Sequence, residues 1–243
     1  PQPPVAAVVP KVLTEHNDRR IDNYFWLRDD SRSEPKVLRY LQAENQYADA
    51  VLRPYQALRE TLYQEMVSRM KPEDSSVPYQ RNGYRYQDVY LAGKDFALTQ
   101  RQPLGGKLIW QTLLDGNQRA AGHAYYRLGG IAISQDNHMM AVAEDFQGRR
   151  QYRLSLRNLH NGAWVTDVIE NTSGNMLWSN DGSTLFYVRN HPQTLMPYQV
   201  YRHRIGTPLA QDRLIYQEND GAFFLHKLFL HHAVTICTTK TQR

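Results

Sequence analysis

The chain has 243 residues, of which 41% are apolar and 11% aromatic, and its formal net charge is +5. This apolar content is enough to bury a large core, so disorder is not the default expectation. The single cysteine, Cys237, excludes an internal disulfide framework and a cysteine-rich zinc site, and it fits a reducing compartment.

The positive charge does not by itself predict nucleic-acid binding. The arginines are scattered among acidic residues, and the longest basic runs are Arg19-Arg20 and Arg149-Arg150. Nucleic acid requires a continuous basic patch, so we interpret the charge as a solvated surface. The sequence contains no run of about 18 apolar residues and no charged region before a signal-like stretch. We therefore expect a cytoplasmic protein that binds neither nucleic acid nor a membrane.

Residues 1–73 are predicted to form an extended arm and two helices. Four prolines in Pro1 to Pro10 are typical of an extended arm. We interpret the aromatic cluster Tyr24-Phe25-Trp26 as a buried anchor that holds this arm in a groove, with a ligand cage as the alternative.

Apolar residues recur at helical spacing from Glu34 to Arg53 and again from Tyr55 to Met70, with Pro54 between them. Ser33 is the candidate N-cap of the first helix. Two amphipathic helices in succession predict a helical hairpin or a bent helix that covers another body. We expect their Met and aromatic side chains to be core.

After Pro72 the period changes to that of strands, and no further helix is predicted. The stretch from Ile133 to Ile169 repeats from Trp178 to Ile215: Ser134 and Ser179 are 45 positions apart, and Leu154 and Val200 are 46 apart. Such a period is typical of one four-stranded propeller blade per repeat.

The fold class predicted for residues 74–243 is an incomplete β-propeller. The expected blades span about 77–114, 132–169 and 176–216, with a partial fourth at 222–243. Asn82-Gly83 and Asn161-Gly162 predict hairpins within the first two blades. Known rings close with about four to eight blades, so we expect either a piece of a longer protein or a ring completed by a second chain.

The sequence resembles the prolyl oligopeptidase family of serine peptidases, and within it oligopeptidase B (protease II). The motif that carries the resemblance is Arg20-Ile21-Asp22-Asn23-Tyr24-Phe25-Trp26-Leu27-Arg28-Asp29. The stretches from Asn82 to Tyr86, Asp145 to Tyr152 and Trp178 to Val188, with His191-Pro192 and Leu195 to Val200, support it. The match covers about Val9 to Glu218.

The resemblance implies a helical extension, a seven-bladed propeller and an α/β-hydrolase domain that cuts short peptides after Lys or Arg. The propeller would act as a filter that keeps folded proteins from the active site. The chain departs from this pattern in one respect: none of its serines lies in G-x-S-x-G, the strained turn that carries the hydrolase nucleophile. We therefore assign no catalytic residue here and expect this chain to be inactive alone.

Arg149 and Arg150 are the candidate substrate-binding residues. Two guanidinium groups at the start of a strand in the second blade would hold the carboxylate end of a short peptide by paired hydrogen bonds. The alternative is a solvated loop, or one ion-paired with Glu144 or Asp145. No cofactor or metal is expected, because His226, His231 and His232 lack a completing carboxylate.

The expected partners are short peptides that contain Lys or Arg, and either a hydrolase domain or a second chain. A stand-alone propeller module that binds protein or peptide and completes itself by self-association is the alternative function.

Overall fold

The computed structural model describes residues 1–105, 109–230 and 234–240. The chain divides into two compact units, Pro1–Lys71 and Pro72–Arg243. Among the described residues, the first unit carries the two long helices and the second is built from strands, so the predicted fold class, mainly β with a helical N-terminal extension, is confirmed.

The first unit begins with a hairpin of β1 (Lys11–Glu15) and β2 (Asp18–Asp22). A 3-10 turn at Phe25–Leu27 follows, then α1 (Pro35–Leu52), a second 3-10 turn at Arg53–Tyr55, and α2 (Gln56–Ser68). Both predicted helices are confirmed. The N-cap is Glu34, whose carboxylate accepts the Lys36 N–H, and the predicted Ser33 is wrong. Ser33 instead donates its N–H to Asp29 at 2.6 Å.

The aromatic anchor is partly confirmed. Trp26 donates its indole N–H to the Ala7 carbonyl at 2.7 Å and packs edge-on against Tyr40. These contacts fix the arm to the unit. Tyr24, which was expected to be buried, is 48% exposed.

The apolar stripes of the two helices are not core in this chain. Val37 is the one buried residue of α1, and α2 has none. Leu58, Met66 and Met70 are each more than half exposed. The expectation was wrong because a helical stripe becomes core only against a partner surface, and the described residues of the first unit leave this one exposed.

The second unit opens with a five-stranded sheet. Its strands are β3 (Asp74–Ser75), β4 (Tyr79–Arg81), β5 (Tyr84–Tyr90), β6 (Leu98–Pro103) and β7 (Gln111–Asp115). Asn82 and Gly83 join β4 to β5 with φ of 47° and 78°, as a two-residue hairpin turn requires. We assign β4–β7 to blade 1.

A short helix that the sequence did not predict follows blade 1. This helix, α3 (Gly116–Ala120), starts because the Asp115 carboxylate accepts the N–H groups of Asn117 and Gln118. The statement that no helix follows Pro72 was therefore wrong. Asp115 is both the last residue of β7 and the N-cap of α3.

Seven antiparallel strands form the next sheet. They are β8 (Arg127–Ile133), β9 (Met139–Asp145), β10 (Tyr152–Asn158), β11 (Trp164–Trp178), β12 (Thr184–Asn190), β13 (Pro197–Arg204) and β14 (Arg213–Gln217). The long strand β11 pairs with β10 in its first half and with β12 in its second. We assign the strands from β8 through the first half of β11 to blade 2. The second half of β11 and the strands β12, β13 and β14 belong to blade 3.

The strand register reproduces the sequence repeat. Ser155 of β10 pairs with Val168, and Tyr201 of β13 pairs with Leu214, so both partners move by the same 46 positions. A hairpin of β15 (Phe223–Leu230) and β16 (Val234–Lys240) follows blade 3. Its Leu225 is buried against Val188 and Val200 of blade 3.

Neighbouring blades pack through continuous apolar seams. Tyr86 and Leu113 of blade 1 join Met140 and Val142 of blade 2 in one buried cluster. A second cluster joins blade 2 to blade 3 and contains Ala141, Ala143, Leu154, Leu156, Ile169, Trp178, Leu185 and Tyr187.

Two consecutive glycines, Gly129 and Gly130, lie inside β8. An added Cβ at Gly129 would lie 2.4 Å from the Tyr152 ring. Close packing against this ring is the reason for glycine at position 129.

Connections alternate between the two edges of an up-and-down sheet. The turns at 82–83, 134–138 and 179–183 share one edge, here called the lower edge; for example, Asn137 donates its side-chain amide to the Asn82 carbonyl. The loops at 91–97, 146–151 and 191–196 share the opposite, upper edge.

Candidate functional site

The candidate site lies on the upper edge, where loop 146–151 joins β9 to β10. The two candidate residues, Arg149 and Arg150, are in this loop and not at the start of the strand, which begins at Tyr152. Arg149 is half-buried and Arg150 is exposed.

Asp145 holds the loop in one shape. Its carboxylate is buried and accepts the N–H groups of Gln147 at 2.8 Å, Gly148 at 2.9 Å and Arg150 at 2.7 Å. Arg150 has a φ of 56°, a conformation that costs energy in a residue with a side chain. These hydrogen bonds offset that cost.

The neighbouring carboxylate, Glu144, is engaged elsewhere. It receives two hydrogen bonds from Arg119, at 2.8 and 2.5 Å, and one from the Tyr126 hydroxyl at 3.1 Å. Burial, together with the charge of Glu144, raises the pKa of Tyr126, and the Glu144 hydrogen bond raises the pKa of Arg119. Glu144 is thus an ion-pair partner of Arg119, and the Asp145 carboxylate is used by the loop backbone.

A cleft of about 440 Å³ adjoins this loop. Loop 91–97 of blade 1 and the segment from Asn117 to Tyr126 line it. The Phe146 ring packs against the His123 ring at a tilt of 39°, with the ring centroids 4.3 Å apart. An added Cβ at Gly148 would lie 3.5 Å from the Tyr125 ring. The arginine loop and an aromatic, polar cleft therefore form one continuous surface.

One polar cluster was missed in the sequence. His203, fully buried, lies between Asp212 at 2.7 Å and Asp167 at 3.4 Å, and Tyr187 donates its hydroxyl to Asp212. The described partners of His203 include no nucleophile, so we interpret this cluster as a structural lock between blades 2 and 3. The sequence did carry one sign of this cluster: His203 occupies the repeat position of Arg157, 46 residues earlier, where the preceding blade has an arginine.

The side chains of His226, His231, His232 and Cys237 lie outside the described residues. Among the residues that are described, no three His, Cys, Asp or Glu side chains form a group able to hold a metal ion. Within that same part of the chain, every helix is too short or too polar to cross a membrane.

Comparisons with known proteins agree with this architecture. The family model described as prolyl oligopeptidase, N-terminal β-propeller domain, matches residues 3–234. Dipeptidyl aminopeptidase BI of Pseudoxanthomonas mexicana is 41% identical over 92% of this chain and 33% of its own length. Protease 2 of Moraxella lacunata is 29% identical over 91% of this chain and 33% of its own length.

Oligopeptidase B from Leishmania major superposes with a TM-score of 0.89 at 26% identity, over 98% of this chain and 36% of that one. The chain thus spans about a third of the length of these relatives. The match of the family model over nearly all of the sequence shows that the chain belongs to the prolyl oligopeptidase family, as part of its N-terminal β-propeller region.

Proposed function

We propose that this chain is the substrate-admitting part of an oligopeptidase-B-like serine peptidase that cleaves short peptides after Lys or Arg. The observation that supports this most is the family match over residues 3–234 together with the likeness to an oligopeptidase B structure. The chain would gate entry to a hydrolase domain and would not cleave peptides alone. We also propose a cytoplasmic location, because a chain with a single cysteine has no internal disulfide, as is usual for proteins of a reducing compartment.

The exposed helices supply a physical argument for a missing partner. Leu58, Leu62 and Met66 form an apolar stripe along α2 that is 46–60% exposed. A stripe of this kind is unfavourable in water and is typical of a contact surface. We propose that the hydrolase domain covers it.

The role proposed for the upper-edge loop is recognition of a peptide carboxylate. Asp145 fixes the backbone around Arg149 and Arg150, so these two residues are presented from a loop of defined shape. Guanidinium groups bind carboxylates through two parallel charge-assisted hydrogen bonds. The adjoining aromatic cleft would receive the side chains of the same peptide.

The 41% sequence identity to Dipeptidyl aminopeptidase BI favours a second candidate function, that of a peptidase that acts at a free N-terminus. Four versions of one fluorescent Arg-containing tripeptide separate the two functions: free or acetylated N-terminus, each with a free or amidated C-terminus. Binding to the chain is followed by fluorescence anisotropy. Indifference to acetylation supports the endopeptidase proposal, whereas loss of binding on acetylation supports the second candidate.

The carboxylate role is tested with the same peptides and the double variant Arg149→Gln, Arg150→Gln. Since a hydrogen bond to a charged group contributes about 1.5–3 kcal/mol, affinity for the free-acid peptide should fall about tenfold or more. The amidated peptide should be unaffected. The matched control, Arg81→Gln with Arg85→Gln, removes the same charge from blade 1. Equal losses in the two double variants would refute the assignment.

The alternative to a substrate-admitting role is a stand-alone binding module that completes its propeller by self-association. Sedimentation velocity on the chain alone checks it: a defined dimer or trimer would favour a stand-alone binding module.

A further inference from the structure

The face of blade 3 that points away from blade 2 has two chemically different halves. Its upper half is apolar: Val188 and Val200 are buried there beneath Leu225 of β15. Its lower half is a cleft of about 770 Å³ that contains Arg202, Arg204 and Arg213. All three arginines are exposed.

The three arginines form no ion pair in the described part of the chain. Arg202 lies directly opposite Arg213 in the β13–β14 register, and like charges in that arrangement repel. The cleft contains one acidic residue, Asp181, whose carboxylate is already engaged by the hydroxyls of Ser179 and Ser183. This arrangement is costly unless an anion completes it.

The internal repeat shows what these positions do in the preceding blade. Arg202 occupies the place of Leu156, which is fully buried in the seam between blades 2 and 3. Arg213 occupies the place of Asp167, which contacts His203 and the Gly206 N–H of the next blade. These are therefore positions at which one blade contacts the next.

At this seam the charge at the contact position is reversed. In blade 2 the acidic Asp167 contacts the imidazole of His203 on the following blade, whereas in blade 3 the equivalent residue is the basic Arg213. A following blade of matching chemistry would present carboxylates from the strand that occupies the place of β13. The hairpin β15–β16 already lies on the apolar half of the same face, so contact with a further sheet is continuous with an existing interface.

We propose that Arg202, Arg204 and Arg213 form an electrostatic docking surface for the blade that follows blade 3 in a longer polypeptide, and that this blade contacts them through Asp or Glu side chains. The lower half of the seam between blades 3 and 4 would then be ionic at the position where the seam between blades 2 and 3 holds the apolar side chain of Leu156. An ionic seam weakens with salt, so it is the point at which the propeller would open first.

The first experiment measures binding of a hexaglutamate peptide with blocked ends to the chain by calorimetry at low salt. The triple variant Arg202→Gln, Arg204→Gln, Arg213→Gln should bind at least tenfold more weakly. The control, Arg59→Gln, Arg81→Gln, Arg85→Gln, removes the same charge elsewhere and should bind within twofold of the parent. Equal losses in both variants, or no binding to the parent, would overturn the proposal. Inorganic phosphate that binds as tightly as the peptide would also overturn it, in favour of a small-anion site.

A single charge reversal separates docking from misfolding. Arg213→Glu places a carboxylate opposite Arg202, so the variant should melt at a higher temperature than the parent and should no longer bind hexaglutamate. A lower melting temperature would contradict the proposed repulsion.

The last experiment identifies the occupant. The chain is extended by the next repeat of Dipeptidyl aminopeptidase BI, the 41% identical relative. If the following blade fills the cleft, the extended protein should no longer bind hexaglutamate at low salt, and binding should return as Asp and Glu residues of the added repeat are neutralised. Unchanged binding in the extended protein, or an arginine-dependent dimer of the parent, would show that the occupant is not the next blade.

Discussion

Arg119 and Glu144 form a two-pronged ion pair across the junction of blades 1 and 2, with Nε and Nη2 of the arginine each on one carboxylate oxygen. The carboxylate is fully buried and the guanidinium is 27% exposed. The guanidinium also lies over the Trp164 ring, 4.6 Å from its centroid. One side chain thus ties together the end of blade 1, β9 and the start of β11.

Removing Arg119 should destabilise the chain far more than removing a surface arginine. Arg119→Ala leaves the Glu144 charge buried without its partner, which costs about 3–5 kcal/mol in comparable pairs. Urea unfolding measures the change in the free energy of unfolding. Arg153→Ala is the control. Arg153 and Glu170 are both exposed, with Nε and Oε1 3.7 Å apart, and exposed ion pairs contribute about 0–1 kcal/mol to stability. Similar losses in both variants would contradict the structural role of Arg119.

Gly129→Ala should destabilise blade 2. The new Cβ would lie 2.4 Å from the Tyr152 ring, and forced repacking of a filled core costs about 1–3 kcal/mol. The control is Gly221→Ala, where no atom lies within 4 Å of the added Cβ. Thermal unfolding of the two variants provides the comparison. A Gly129→Ala protein as stable as the control would show that Tyr152 does not set this position.

Asp181 should titrate well below an ordinary aspartate. Hydrogen bonds from Ser179 and Ser183 lower its pKa to about 2. Since the folded pKa is lower than the unfolded value of about 3.9, its contribution to stability is present above pH 4 and disappears as the pH falls towards 2. Carbon-detected NMR follows the carboxyl directly.

Ser179→Ala should raise the pKa of Asp181, because it removes the largest of these hydrogen bonds. Asp29, whose pKa is also lowered to about 2 by its own Ser31 hydrogen bond, provides an internal reference that should not move. An Asp181 midpoint unaffected by the substitution would contradict the stated cause.

His203→Ala should loosen the junction of blades 2 and 3. The substitution removes the contacts of the ring with Asp212 and Asp167, while the Asp212 carboxylate stays buried. Leaving a buried polar group without its hydrogen-bond partner costs about 1–3 kcal/mol, and more for a charged group. Hydrogen exchange should rise in β13 and in the first half of β11 more than in blade 1. His160→Ala, at an exposed turn, should have little effect; uniform exchange changes across all blades would refute a local lock.

Local patterns in the sequence determined the parts of the fold that depend on neighbouring residues. The helical spacing from Glu34 onward located α1, and Asn82-Gly83 located a hairpin because glycine tolerates its positive φ. The 46-residue period located blades 2 and 3, because each repeat carries its own strand pattern. Arg149 and Arg150 were found as a basic pair, and the sequence also placed the chain in its family.

The tertiary structure alone decided which residues meet across blades. Asp145 could not be recognised as the residue that fixes the arginine loop, and Glu144 could not be paired with Arg119, which lies 25 positions away. The apolar stripes of α1 and α2 predicted burial, but burial depends on whether another surface covers them. Charge complementarity between packed sheets likewise depends on which faces are brought together, so the role of Arg202, Arg204 and Arg213 emerged only when the blades were placed side by side.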